Sequence, residues 1–290
     1  MYYNFVSSYN NITYSIDMIR LKTNIDYITY SNLEFYLKTY YKDKIYKYWS
    51  SDMISQFKYN YNIQIEEGVS FWFGFHHNND FEHSEISLHN FTIEFNPNKL
   101  KDNKLIKHIL FISNNWYIKS YDLACDVKIN IRDLIIDKGR KRKVQIYSNG
   151  GDDLTYRVGS GNTKIKVYNK KIESKLNIPY DLTRIEISRQ LDDFPVKDVK
   201  FLKFGLEYFP EIYVNDYIYS ISDLQNKTML PIIYAIQYGF PINDLSRRYK
   251  EKIKKLFEGG HKLRFTDKDA TEVLRKTIFC YFINNNIRWS

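Results

Sequence analysis

The feature that most constrains the fold is a run of short strand-like segments between residues 144 and 191. The segments read VQIYS, LTYRVGS, KIKVYNKK and LTRIEISRQL. A Gly-Gly-Asp-Asp turn at 150–153 follows the first segment, and a second turn at 159–162 follows the next. Short runs of β-branched and aromatic residues bounded by such turns are typical of antiparallel hairpins. The sequence therefore predicts a β-meander in this part of the chain.

The rest of the chain divides into a mixed part and a helical part. Strand patterns alternate with helix patterns before the meander, and from about residue 196 four segments have helical spacing. We expect an α+β fold, with an antiparallel sheet and flanking helices over 1–195 and a helical region over 196–290. The predicted helices before the meander are 32–45 and 102–115, and the predicted strands lie within 1–30 and at 68–77, 90–100 and 117–131.

The charge balance indicates a polyanionic partner. Lys and Arg number 43 against 34 Asp and Glu, which gives a formal net charge of +9. Such a balance favours nucleic acid first and an anionic membrane surface second, with a merely soluble basic protein as the alternative. The hydrophobic fraction of 43% is that of a globular chain with a buried core.

Cysteine usage and hydropathy favour a cytoplasmic protein. The two cysteines, Cys125 and Cys280, have no metal-ligand spacing and fit a reducing compartment. The polar start of the chain does not resemble a secretory signal, and no run approaches the roughly 20 apolar residues that span a bilayer. We therefore expect neither secretion nor membrane insertion.

Acidic residues recur in the predicted strands, at Glu94, Asp122, Asp126 and Glu186. Side chains alternate along a strand, so Asp122 and Asp126 point to the same face. Carboxylates gathered on the inner face of a sheet repel one another and are costly to bury unless a cation binds them. Mg²⁺ and Mn²⁺ take such oxygen ligands, so the set predicts a divalent-metal site. The alternative is a set of solvated carboxylates on an exposed face.

Tyr168 stands out among the 27 tyrosines because of its neighbours. The strand period of two places it on one face with Lys166 and Lys170. Nearby cations favour ionisation of a phenol, whose free pKa is about 10. A tyrosine beside cations and a metal site can attack a phosphodiester and become linked to the phosphate. The alternative is a tyrosine that only packs in the sheet, and Tyr156 is the nearest other candidate nucleophile.

Several segments, in order, resemble the replication initiation factor (Rep-trans) family, the rolling-circle replication initiators of small Gram-positive plasmids. IEFNPNKL at 93–100 and YDLACDV at 121–127 are similar to two family segments. The long segment at 144–173, VQIYSNGGDDLTYRVGSGNTKIKVYNKKIE, resembles the family's hairpins, which end in a Tyr-Asn-Lys-Lys strand. TRIEISRQL at 183–191 resembles its Arg-Xaa-Glu strand. The resemblance covers about residues 90–191.

The resemblance implies a plasmid replication initiator that binds its double-strand origin and nicks one DNA strand. Tyr168 corresponds to the family's catalytic tyrosine, which would retain the 5′ end and leave a free 3′-OH. Lys170 would steady the scissile phosphate. Mg²⁺ or Mn²⁺ would be bound by the acidic residues that match the family's, which are Glu94, Asp122 or Asp126, and Glu186. A homodimer and recruitment of a host helicase are implied as well.

Basic segments supply candidate DNA contacts. KGRKRK at 138–143 and SRRYKEKIKK at 246–255 can contact phosphates or read the origin, with a solvated loop and a solvated helix as the alternatives. The chain departs from the family where Lys166 replaces a usual Arg and where Ser120-Tyr121-Asp122 replaces Arg-Leu-Asp. The predicted DNA-contacting residues are Lys166, Arg184, Arg140, Lys141, Arg142, Lys143, Arg247 and Arg248.

Two other functions stay open at this point. A relaxase of an integrative conjugative element would use the same chemistry in DNA transfer. A non-catalytic, sequence-specific DNA-binding protein would need neither the tyrosine nor the carboxylates, and their presence argues against it. In each case the first part of the chain, 1–195, would be the catalytic or binding domain, and 196–290 would bind the origin or form dimer contacts. ATP is not implied, since the chain has no Gly-rich loop ending in Lys-Ser or Lys-Thr.

Overall fold

A computed structural model of the chain shows an α+β fold built on a large antiparallel sheet, as predicted. Eleven strands of the described residues form this sheet, and two more form a small second sheet. The described residues are 5–6, 12–47, 59–76, 89–100, 103–137, 143–150, 153–159, 162–203, 211–214, 229–237, 245–257, 263 and 265–282.

Strands and helices alternate in the first part of the described chain, and helices dominate its last part. The strands are β1 (Phe5–Val6), β2 (Thr13–Thr23), β3 (Ile45–Lys47), β4 (Tyr59–Glu66), β5 (Val69–Phe75), β6 (Phe91–Phe95), β7 (Tyr117–Val127), β8 (Leu134–Asp137), β9 (Val144–Ser148), β10 (Leu154–Val158), β11 (Thr163–Asn169), β12 (Thr183–Pro195) and β13 (Glu211–Val214). The α-helices are α1 (Tyr27–Tyr40), α2 (Lys104–Leu110), α3 (Lys170–Glu173), α4 (Leu230–Gln237), α5 (Arg247–Phe257) and α6 (Asp267–Phe282).

The large sheet has the order β3-β4-β5-β6-β2-β7-β12-β11-β10-β9, with β1 paired to β2. The strands pair in antiparallel fashion throughout this order, and the small sheet joins β8 to β13. Neighbouring residues of five strands form a buried apolar row, which consists of Ile16, Leu123, Ile187, Ile165 and Val158. The residues that alternate with them are mostly polar, so the sheet has one apolar face and one polar face.

Three helices cover the apolar face. Helix α1 turns Tyr30, Leu33 and Leu37 inward, and the Tyr30 ring stacks on Phe75 of β5 with 4.2 Å between the ring centroids. Helix α2 contributes a buried apolar side to the same core. Helix α6 packs against β2, and its Tyr281 ring meets Phe95 edge-on at 5.1 Å. These three helices therefore pack on the apolar side of the sheet.

Short-range hydrogen bonds explain where the helices of this layer begin. The side chain of Asp26 accepts from the Thr29 amide at 2.7 Å and starts α1. The side chain of Asn103 accepts from two amides of the first turn of α2 in the same way. Helix α1 thus begins at Tyr27, five residues before the predicted start, and takes in the end of the segment that the sequence suggested was strand.

The region after residue 196 differs in part from its purely helical prediction. Helices α4, α5 and α6 lie within three of the predicted helical segments and confirm them over the described residues. The segment at Val196–Phe201 is a 3-10 helix, and Glu211–Val214 is strand β13, because it pairs with β8. The division into domains at residue 195 stays a prediction.

In the described part of the chain, no helix has both the length and the apolar composition needed to cross a membrane.

Candidate active site

Half of the predicted site residues lie on the polar face, most of them in lateral rows, because cross-strand partners share a face. One row contains Asp126, Arg184, Tyr168, Thr155 and Tyr147, on the successive strands β7, β12, β11, β10 and β9. The next row contains Ala124, Glu186, Lys166, Arg157 and Gln145, and the third contains Asp122, Ser188 and Lys164. The predicted sharing of one face by Asp122 and Asp126 is confirmed by this register.

Tyr168 is buried at the end of β11, with only 3% of its surface exposed. Its hydroxyl donates a hydrogen bond to Glu186 Oε2 at 3.0 Å. Burial raises the pKa of the phenol above its ordinary value, and the negative charge of Glu186 raises it further, while Arg184 acts in the opposite direction. The hydroxyl therefore keeps its proton at neutral pH, and a nucleophilic role requires a base to take that proton.

Two lysines flank the Tyr168 ring. Lys166 Nζ lies 4.0 Å from the ring centroid, and Lys170 Nζ lies 5.7 Å from it. The expectation that Lys170 belongs to the same strand face is wrong, because β11 ends at Asn169. The Asn169 side chain accepts from the Ile172 amide at 3.1 Å and caps α3, so Lys170 begins a helix. Its ammonium group pairs with Glu173 at 3.0 Å.

Arg184 forms a buried ion-pair cluster beside this tyrosine. Its guanidinium binds both carboxylate oxygens of Asp126, at 2.6 and 2.7 Å, and also contacts Asp17. In this bidentate pair, two parallel N–H groups of the planar guanidinium donate to the two carboxylate oxygens. Arg184 was predicted to contact DNA, and Asp126 was predicted to bind metal. In the structure the two side chains form an ion pair with each other. This cluster ties β12 to β7 and β2.

Asp122 lies one row further along, diagonal to Glu186 on the adjacent strand. Burial raises the pKa of this carboxyl to about 6, and the charges of Glu186, Glu94 and Asp17 add to the shift, against a hydrogen bond from Ser188. The carboxylate therefore sits among other negative charges. A cation at this place would relieve both the repulsion and the burial cost.

An open depression of about 300 Å³ adjoins Asp122 on the polar face. Its wall includes Glu94, which is paired with Arg20 across β6 and β2. Lys164, Ser188 and Asn162 line the opposite wall. The depression thus offers cationic and hydroxyl groups next to a carboxylate, a combination suited to a phosphate group with a bound cation.

The predicted metal site consisted of Glu94, Asp122 or Asp126, and Glu186. Among the residues that the structure describes, no group of three or more His, Cys, Asp or Glu side chains is arranged to hold a metal ion. Asp126 and Glu94 are paired with arginines, which leaves Asp122 and Glu186 as diagonal neighbours. Mg²⁺ commonly takes only one or two protein carboxylates together with substrate phosphates, so this pair fits such an ion.

The remaining predicted residues are scattered. Arg140, Lys141 and Arg142 lie outside the described residues, and Lys143 is exposed at the start of β9. Arg247 and Arg248 are exposed on α5, where Arg247 pairs with Glu251 at 2.9 Å. Their DNA contacts stay predictions. The alternative nucleophile Tyr156 pairs with Val167 and points into the apolar face, away from Tyr168.

Two residues of the polar face were missed by the sequence patterns. Asp17 continues the alternation of Thr13 and Ser15 along β2, so the strand period could have placed it on the polar face. Arg20 has the parity of the buried Ile16, and it lies on the polar face because the register between β2 and β7 shifts between Ile16 and Met18.

Comparisons with known proteins include a likeness to a solved structure. No protein-family model matches the chain, and no curated protein sequence matches it. A solved rolling circle replication initiator protein from Geobacillus stearothermophilus is similar in structure, with a TM-score of 0.41 and 10% sequence identity. That likeness covers 85% of this chain and 97% of the other.

Proposed function

We propose that this protein initiates rolling-circle replication of a plasmid by nicking one strand of its origin through Tyr168. The observation that carries the proposal is the hydrogen bond from the Tyr168 hydroxyl to Glu186, on a polar sheet face with Lys166 over the ring. The ordered motifs that resemble the replication initiation factor family support the same chemistry.

The reaction is a transesterification. The Tyr168 oxygen attacks the scissile phosphorus and forms a new O–P bond, while the bond from phosphorus to the 3′ oxygen breaks. Glu186 accepts the phenolic proton along the existing hydrogen bond, and the departing 3′ oxygen takes a proton from solvent to become a free hydroxyl. The 5′ end stays on the tyrosine, and the energy of the phosphodiester is retained for rejoining.

Cations on the polar face would bind the reacting phosphate. Lys166 lies against the Tyr168 ring, and Lys164 lies two residues before it on the same strand face. Asp122 and Glu186 would hold Mg²⁺ or Mn²⁺, which when bound neutralises phosphate charge and favours the ionised phenol. By the family resemblance, the protein would act as a homodimer and recruit a host helicase.

A covalent-adduct assay tests the proposal. Supercoiled plasmid carrying the gene for this chain and its flanking DNA is incubated with protein and Mn²⁺, and the adduct is detected after denaturation. We expect the wild type to nick the DNA and to remain attached to its 5′ end. Tyr168→Phe should bind the same DNA but form no adduct, since it lacks only the nucleophilic oxygen.

Tyr156→Phe is the matched control, because it removes a hydroxyl from the opposite face of the same meander. It should nick like the wild type. An adduct in Tyr168→Phe would move the nucleophile to another residue. Full nicking by the wild type in EDTA would refute the metal-dependent part of the proposal.

A further inference from the structure

The outer edge of the polar face presents an aromatic ring and a guanidinium together. Tyr147 of β9 is 49% exposed, and Arg157 of β10 lies over its ring, with the guanidinium carbon 5.0 Å from the centroid. The Tyr147 hydroxyl donates to the side chain of Gln145 at 3.1 Å, which fixes one edge of the ring. A large exposed ring held in place in this way offers a flat apolar surface to a ligand.

The charge around this pair is of one sign. Strands β9, β10 and β11 carry Arg157, Lys164 and Lys166 on the polar face and contain no Asp or Glu. Arg157 and Lys164 are exposed, and Lys166 is half-buried. A surface that combines cations with an exposed aromatic ring suits an unpaired nucleic acid strand, whose phosphates bind the cations and whose bases stack on the ring.

The position of Tyr147 relative to Tyr168 suits the same ligand. Thr155 pairs with Tyr168 on one side and with Tyr147 on the other, so the two tyrosines stand in one row across three strands. Two strand spacings separate their backbones by about 10 Å. A DNA strand whose phosphate lies at Tyr168 can therefore reach Tyr147 when it runs across β10 towards β9.

We propose that Tyr147 and Arg157 form a stacking site for one unpaired base of the DNA strand that is cut. The inference rests on the proposed function and names its substrate more closely, as single-stranded DNA at the nick. Tyr147 supplies the stacking surface, and Arg157 holds the ring and draws in the neighbouring phosphate. Neither residue takes part in the transfer of the phosphate.

Binding of single-stranded DNA tests this site directly. Fluorescence anisotropy with a labelled oligothymidylate measures the Kd in a Tyr168→Phe background, where no covalent bond can form. Tyr147→Ala should weaken binding by roughly 5- to 100-fold, the range for loss of one stacked base. Tyr147→Phe should bind within about twofold of the parent, because it keeps the ring.

Two controls separate stacking from general damage. Tyr40→Ala removes another exposed tyrosine, 70% exposed on α1, which covers the opposite face of the sheet, and it should leave the Kd unchanged. An abasic strand of the same length should bind Tyr147→Ala and its parent equally, since it has no base to stack. The dependence of log Kd on log salt should have the same slope in both proteins, because no phosphate contact is lost.

The inference is overturned if Tyr147→Ala binds oligothymidylate like its parent, if it loses as much affinity for the abasic strand, or if Tyr40→Ala is weakened equally. The proposed function can fail separately. Absence of a covalent adduct in the wild type, with a Tyr147-dependent Kd, would refute the nicking and keep the base site. A covalent adduct in the wild type, with a Kd that does not depend on Tyr147, would support the nicking and refute the base site.

Discussion

At the scale of single residues, the buried carboxyl of Asp122 lowers stability at neutral pH, where the proposed function requires its charge. Burial, helped by neighbouring carboxylates, raises its pKa from the ordinary 3.8 to about 6. Between those pH values the folded state binds the proton more tightly than the unfolded state does. The free energy of unfolding therefore falls as the pH rises through this range, and the loss is complete above the folded-state pKa.

Asp122→Asn should accordingly stabilise the metal-free protein while it abolishes nicking. We expect a gain of about 3 kcal/mol in the free energy of unfolding at neutral pH, which shrinks towards zero at about pH 4. Urea denaturation in EDTA at the two pH values measures it. A variant less stable than the wild type at neutral pH would show that the carboxylate is not destabilising.

The charge of Arg184, unlike that of Asp122, is expected to stabilise the fold. Arg184→Leu leaves the half-buried carboxylates of Asp126 and Asp17 without their cation and should cost about 3–5 kcal/mol. Arg247→Leu is the control, because it breaks an exposed pair with Glu251 and should change stability by less than about 1 kcal/mol. Equal losses of unfolding free energy in the two variants, measured by urea denaturation, would mean that the ion pairs of Arg184 do not stabilise the fold.

Part of the site was readable from single residues and their spacing. The strand period placed Asp122 with Asp126, and the register confirms it. The strand period did not indicate that Arg184 would form an ion pair with Asp126, since the two residues are 58 positions apart in the sequence. It also extended the strand past Asn169, because the capping role of that side chain depends on the turn that follows it.

At the scale of elements, α6 is the helix that closes the apolar face beneath β2. Its Tyr281 hydroxyl donates to the carbonyl oxygens of Pro97 and Leu100, each at 3.1 Å. Residues of the turn after β6 are thereby fixed to the C-terminal part of the chain. The helical patterns predicted this element, although they did not indicate which strand it covers.

Leu274→Ala tests how much α6 stabilises the sheet. The side chain is completely buried, so its truncation should lower the free energy of unfolding by about 2–5 kcal/mol. Phe279→Ala, in the same helix but 44% exposed, should cost less than about 1 kcal/mol. Thermal or urea unfolding compares the two. A similar small loss in both would mean that α6 contributes little to the core.

Long-range pairing limits what local patterns can predict about elements. Strand β13 lies in a region that was expected to be helical, and it pairs with β8, which lies far away in the sequence, before the meander. The sequences of both strands are short, four residues each, so each carries little signal alone. Only the partner strand decides the conformation of such a segment.

At the scale of the whole molecule, the net charge of +9 predicts a DNA affinity that falls steeply with salt. Among the described residues, cations of the polar face lie on the same side of the sheet as a DNA strand bound at Tyr168 as proposed. Lys164 is exposed on that face, whereas Lys38 is exposed on α1 at the other side of the sheet.

Lys164→Gln should lower the slope of log Kobs against log salt by about 0.7 for a single strand, which is the effect of one lost phosphate contact. Lys38→Gln has the same change in net charge and should leave the slope unaltered. Anisotropy titrations over a range of salt concentrations distinguish the two. Equal slopes in both variants would indicate that binding depends on total charge rather than on this face.

The order of the large sheet has a mechanical consequence. Asp122 and Glu186 lie on β7 and β12 in its middle, while Tyr147 lies on β9, the last strand of that order among the described residues. Backbone amides in the middle of a sheet exchange with solvent only when much of the protein opens, whereas a border strand can detach alone. A DNA strand bound as proposed would contact carboxylates on the central strands and stack a base on a border strand, which can open separately. Local opening of β9 would then release the bound base while β7 and β12 stay paired.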